Sequence, residues 1–85
     1  MKFKEKMLDY FKQRSCLNTV NIKEIGHMAM VQIENGEGKQ FFLNIDRDSA
    51  RLLCCESEEI VYVYEQYPPQ CGDCLTVVEN IIGKY

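Results

Sequence analysis

The chain contains no apolar run approaching the roughly 18 residues that a membrane-crossing helix requires. Its N-terminal lysines are not followed by the apolar stretch of a secretory signal, so a cytoplasmic protein without a membrane partner is expected. Glycine (5) and proline (2) are scarce among the 85 residues, which excludes collagen-like repeats and low-complexity linkers. Histidine occurs once, at His27, with no serine or carboxylate neighbour that would suggest a triad. No glycine-rich loop precedes a helical pattern, and no oxygen-rich loop has calcium-site spacing. With these absences, no nucleophile-and-base constellation is left, and no cofactor is expected.

What is present describes one domain spanning residues 1–85, since a chain of this length supports one core and not two. The net charge of −3 is unevenly spread. Lys2, Lys4, Lys6, Lys12 and Arg14 make the first helical stretch basic. Glu56, Glu58, Glu59, Glu65, Asp73 and Glu79 make the second half acidic, with Lys84 as its only base beyond residue 55. The excess of acid argues against the broad basic patch of a nucleic-acid binder, whereas a basic protein partner could meet the acidic segment.

Hydrophobic periodicity predicts the elements. Residues 3–14 form an amphipathic helix with Phe3, Met7, Leu8, Tyr10 and Phe11 on one side. Residues 20–25 are extended up to Gly26. Residues 27–34 and 40–45 alternate so that Ala29, Val31 and Ile33 face Phe41, Leu43 and Ile45. Matching those residues pairs 33 with 41, 31 with 43 and 29 with 45, leaving the loop Gly36-Glu37-Gly38 with Gly38 where a bulge needs positive φ. Residues 51–55 and 60–64 predict a second hairpin that pairs Cys54 with Val61 and Leu52 with Val63. The alternative is a short helix capped by Asp46 or Asp48 and running through Ala50 and Leu53, and the hairpin leaves room for a single helical turn near 48–51. After Pro68-Pro69, Leu75, Val78, Ile81 and Ile82 form a helical stripe with Asp73 as N-cap and Gly83 as stop. The expected fold is α+β, in the order α-β-β-β-β-β-α, with an antiparallel sheet and both terminal helices on one face.

Five cysteines carry the available chemistry: Cys16, Cys54, Cys55, Cys71 and Cys74. An odd number in a cytoplasmic setting favours reduced thiols. Cys71-Gly-Asp-Cys74 places a CxxC pair at a predicted helix start, where unpaired N–H groups favour a thiolate and one helical turn separates the sulfurs. Following a strand and a turn, this stretch is similar over about twenty residues to the local arrangement of thioredoxin-like oxidoreductases. The resemblance implies a redox dithiol at Cys71 and Cys74. Asp73 between them adds negative charge, which should raise a neighbouring thiol's pKa. Zinc is a second possibility, drawing on Cys54 or Cys55 with Cys71 and Cys74 across a fifteen-residue gap. Adjacent strand residues point to opposite faces, so the set reduces to Cys55, Cys71 and Cys74, completed by Cys16 or His27. The third possibility is that the cysteines are small core hydrophobes.

The leading expectation is a non-enzymatic protein-interaction module of adaptor or inhibitor type, binding a protein partner or a second copy of itself. In the expected register Tyr62 and Tyr64, with Tyr67 just beyond, lie on the face opposite Val61 and Val63, and Glu59 and Glu65 flank them. Tyrosine rings bury area while their hydroxyls tolerate water, which suits partner contacts. Packing beneath the N-terminal helix is the alternative for the same rings.

Overall fold

The structure, a computed structural model, describes residues 2–13, 18–66 and 68–84. Its elements are α1 (Phe3–Gln13), β1 (Asn18–Ile25), β2 (Met28–Glu34), β3 (Gln40–Ile45), β4 (Ala50–Cys54), β5 (Glu59–Tyr64) and α2 (Cys71–Lys84). The five strands form one antiparallel sheet in sequence order, and both helices pack on the same face of it, as expected. Cys16, in the segment between α1 and β1, and Tyr67 lie outside the described residues.

Burial follows the periodicity of each element. Phe3, Met7, Leu8 and Phe11 form the buried side of α1, and Cys74, Leu75, Val78 and Ile82 that of α2. Beneath them lie Ala29, Val31 and Ile33 of β2, Phe41, Leu43 and Ile45 of β3, and Ala50, Leu52 and Cys54 of β4. The tyrosine hydroxyl of Tyr10 donates to Glu79 Oε1 and ties the two helices together.

The β2–β3 register is the expected one, with Ile33 opposite Phe41, Val31 opposite Leu43 and Ala29 opposite Ile45. Gly38 has φ +81°, the left-handed conformation that the bulged turn requires. Asn35 organises this turn and reaches beyond it. Its Oδ1 accepts from the N–H groups of Glu37 (3.0 Å) and Lys39 (2.9 Å), while its Nδ2 donates to the Ile82 carbonyl (3.2 Å) in the last turn of α2. A carbonyl there has no partner within the helix, so one side chain both shapes a hairpin and closes a helix end.

The β4–β5 register differs from expectation. Leu52 lies opposite Tyr62 and Ala50 opposite Tyr64, whereas Leu53 pairs with Ile60 and Cys54 with Glu59. Two residues on β4 therefore span three on β5, and Val61 is the extra residue of a bulge. The four-residue turn 55–58 ends on Glu58 at φ 55°, and no helical turn forms at 48–51. A one-residue shift exchanges the two faces of a strand beyond the bulge, so Tyr62 and Tyr64 lie under the helices and Val63 faces away, while Ile60 stays opposite Leu53 on the helix-free face, as the expected register had it. The shift is favoured because a tyrosine ring buries more area than valine and here also finds hydrogen bonds. Tyr64 stacks on Phe3 with ring centroids 5.6 Å apart. Its hydroxyl accepts from the Gln70 N–H (2.7 Å) and donates to the Gln70 carbonyl (3.2 Å).

That contact fixes the start of α2. The helix begins at Cys71, two residues before the expected cap, so Asp73 sits inside the first turn where its charge suits the helix dipole. It also continues through Gly83 to Lys84 instead of stopping at Gly83.

Replacing Asn35 with alanine removes the acceptor for two turn amides and the donor to α2. It should lower unfolding free energy by about 2 kcal/mol in a urea titration. Gly38→Ala should cost about 1 kcal/mol because of its positive φ, and Gly36→Ala less than about 0.5 kcal/mol. Equal costs for the two glycines would contradict the assigned turn.

Candidate functional site

The CxxC pair is assembled from the helix start that Gln70 and Tyr64 define. Cys71, the first residue of α2, is half-buried, and Cys74, one turn further, is fully buried at 0% exposure. Burial pushes both thiols up. The ammonium of Lys6 partly opposes this at Cys71, whereas Cys74 is raised to about 12 by its burial and then by the neighbouring Cys71. Both are thiols at neutral pH, although a nucleophilic dithiol needs at least one readily formed thiolate. The approach of Lys6 from α1 was not visible in the sequence, since it depends on how the two helices lie together.

The CC pair divides between environments. Cys54 is buried in the core at the end of β4, and Cys55 opens the following turn and is half-buried. The backbone N–H of Ser57 lowers the Cys54 pKa against the opposing effect of burial, whereas burial raises that of Cys55. Among the described residues no three His, Cys, Asp or Glu side chains form a group that could hold a metal ion. Cys55, Cys71 and Cys74 are thus not brought together. His27 does not open a strand beside Ala29 as the alternation suggested. It lies exposed in the β1–β2 turn, where its carbonyl accepts from Lys4 Nζ at 3.2 Å.

The expected tyrosine surface is also rearranged. Tyr64 is 5% exposed and belongs to the core, and Tyr62 is half-buried against it, its pKa raised first by burial. Glu59 and Glu65 are exposed at the two ends of β5. Packing under α1, the alternative reading of these rings, is what Tyr64 does through its stack on Phe3.

Exposed apolar side chains stand instead on the sheet face turned away from the helices. Ile60 and Val63 stand on it 53% and 45% exposed, and Met28 and Ile25 add 43% and 60% at its other end. Between them Met30, Phe42 and Leu53 are half-buried by their strand neighbours. Backbone pairing arranges the face in rows across the strands. One row runs Lys23, Met30, Asn44, Arg51, Val63; the next runs Asn21, Gln32, Phe42, Leu53, Ile60; the third contains Asn18, Glu34 and Gln40. Gln32 Nε2 donates to Gln40 Oε1 at 2.6 Å, while Asn44 Oδ1, shielded by its neighbours, has no hydrogen-bond partner. Large apolar side chains held in water by a regular scaffold are the usual mark of a contact surface. The expected β2–β3 register already put Met30 and Phe42 on one face, but the place of Val63 on that face depended on the Val61 bulge.

No family model, curated protein or solved structure matches the chain. The geometry and chemistry of these residues therefore carry the functional reading.

A thiol with a raised folded-state pKa holds its proton where the unfolded chain has already released it. The native state should be at full stability below about pH 9, the ordinary thiol value, and lose stability as pH rises toward 12. Cys74→Ala should make that alkaline decline shallower, read as urea midpoints between about pH 8 and 11; parallel curves would contradict the assignment. Cys71 should also alkylate more slowly at pH 7.5 than a cysteine in an unstructured peptide.

Proposed function

We propose that this chain is a small non-enzymatic protein-interaction module whose contact surface is the helix-free face of its sheet. The observation that carries the reading is the exposure of Ile25, Met28, Ile60 and Val63 around half-buried Met30, Phe42 and Leu53. Interface cores are typically apolar and depleted in charge, with polar groups at the rim. Here Phe42 and Leu53 occupy adjacent central strands, and Lys23 and Glu34 stand toward the β1 side. In this reading the β4–β5 hairpin contributes to the contact through Leu53, Ile60 and Val63, with Tyr62 and Tyr64 turned to the core. Glu65, two residues beyond Val63, contributes an acidic rim group, whereas Glu59, opposite Cys54, stands on the helix-bearing side of the sheet. The raised pKa values of Cys71 and Cys74 favour this reading over the redox alternative.

Affinity capture from the source cells, with bound proteins identified by mass spectrometry, tests the surface assignment. The stoichiometric partner held by the wild-type chain should be lost on Phe42→Asp and retained on Val77→Lys, which changes an exposed position of α2. Retention by Phe42→Asp together with loss on Val77→Lys would move the contact to the helical side.

A further inference from the structure

We infer that the partner on the open sheet face is a second copy of this chain, stacked face to face about a two-fold axis running along the Phe42 row. This rests on the interaction reading above and specifies the occupant. Three properties of the face lead to it.

The first is area. Five strands about 4.8 Å apart and about six residues long give a face of roughly 24 by 20 Å. Each copy then offers at most about 500 Å² in projection, and with the relief of the apolar side chains added a pair buries on the order of 1,000 Å². That is about the minimum for a specific interface. Two sheets stacked this way also leave about 10 Å between backbones, the spacing that side chains of this size fill.

The second is the order of the rows. In an isologous interface, residues on the axis meet their own copies and residues off it exchange partners. An axis along the Phe42 row stacks Phe42, Leu53 and Ile60 on their counterparts, placing the apolar part of the row on itself, and sets the amides of Asn21 and Gln32 at its β1–β2 end against their own copies. The third is charge. The same operation lays the row holding Lys23 and Arg51 over the row holding Glu34, so Lys23 of one copy stands beside Glu34 of the other. A two-fold axis parallel to the strands would lay the basic row on itself and leave Glu34 without that neighbour. Opposite charges on either side of an apolar row thus select one direction for the axis, and like charges disfavour the other.

Sedimentation equilibrium of the purified full chain tests the inference. The wild type should show a two-chain mass at about 100 μM. Phe42→Asp, which brings two carboxylates together in a dry contact, should weaken self-association at least about 100-fold and give a one-chain mass with unchanged far-UV circular dichroism. Ile60→Lys provides the second variant, since a side chain already 53% exposed can become charged without unfolding the monomer. Glu34→Lys should weaken association about fivefold, and adding Lys23→Glu should restore it.

A wild type that stays at one-chain mass up to about 1 mM overturns the inference, as does a two-chain mass that survives both Phe42→Asp and Ile60→Lys. If the wild type is a monomer yet still captures a different protein in a Phe42-dependent way, the interaction reading stands and self-association alone falls. Loss of association with Phe42→Asp but no response to the charge exchange overturns the direction of the two-fold axis.

Discussion

Two short helices can cover only one side of this sheet. A helix with its side chains is about 10 Å across, so α1 and α2 together span about 20 Å, close to the roughly 24 Å width of five strands. The chain provides no third layer among the described residues. Everything else follows from that one-sided coverage. The strand residues under the helices form the core, the helices are held by Tyr10–Glu79 and by Asn35, and the opposite side of the sheet retains whatever apolar residues the alternation places there. The junction at Tyr64 turns this constraint into a specific structure. By stacking on Phe3 and exchanging hydrogen bonds with Gln70, it sets the β5 face, the start of α2 and the position of the cysteines together.

The sequence disclosed the fold wherever two independent signals agreed. For β2 and β3, alternation gave the facing residues and Gly38 supplied the conformation that the same register demands, so pairing could be assigned residue by residue. For β4 and β5 the alternation was ambiguous, because Ile60-Val-Tyr-Val-Tyr64 is apolar at every position. Either set could have faced the core. The bulge at Val61 and the φ of Glu58 decided it, and neither has a local signature comparable to the glycines of the first hairpin. The difference in burial between valine and tyrosine, with hydrogen-bond partners contributed by Gln70, is a tertiary effect. The same contact displaced the expected cap of α2 from Asp73, because the backbone of Gln70 is engaged by a residue six positions earlier.

The candidate site was less legible than the fold. Spacing marked Cys71 and Cys74 as a pair, but the behaviour of a thiol depends on what surrounds it, and that came from elsewhere in the chain: Lys6 across the helix pair for Cys71, complete burial for Cys74, and the Ser57 amide for Cys54. Spacing likewise grouped Cys55 with the CxxC, although the turn holds it apart from them. The open face could not be read from the sequence for a simpler reason. Its members come from all five strands, and the bulge at Val61 puts Val63 on it in place of Tyr62 and Tyr64, while Ile60 keeps the face it shares with Leu53. Once the register is known, the rows and their charges follow without further assumption.

The helix-bearing face is a permanent core, and in the proposed dimer the other face becomes covered on association. The methionines sample both sides: Met7 is fully buried under α1, and Met28 and Met30 lie on the open face. With methyl-labelled methionine and a water-soluble paramagnetic probe, line broadening can be followed as the protein is concentrated from about 10 μM to 1 mM. The proposed dimer predicts that Met30, one row from the axis, broadens in dilute samples and becomes shielded as concentration rises, while Met7 is shielded throughout. Equal broadening of Met30 at every concentration, or exposure of Met7, would contradict it.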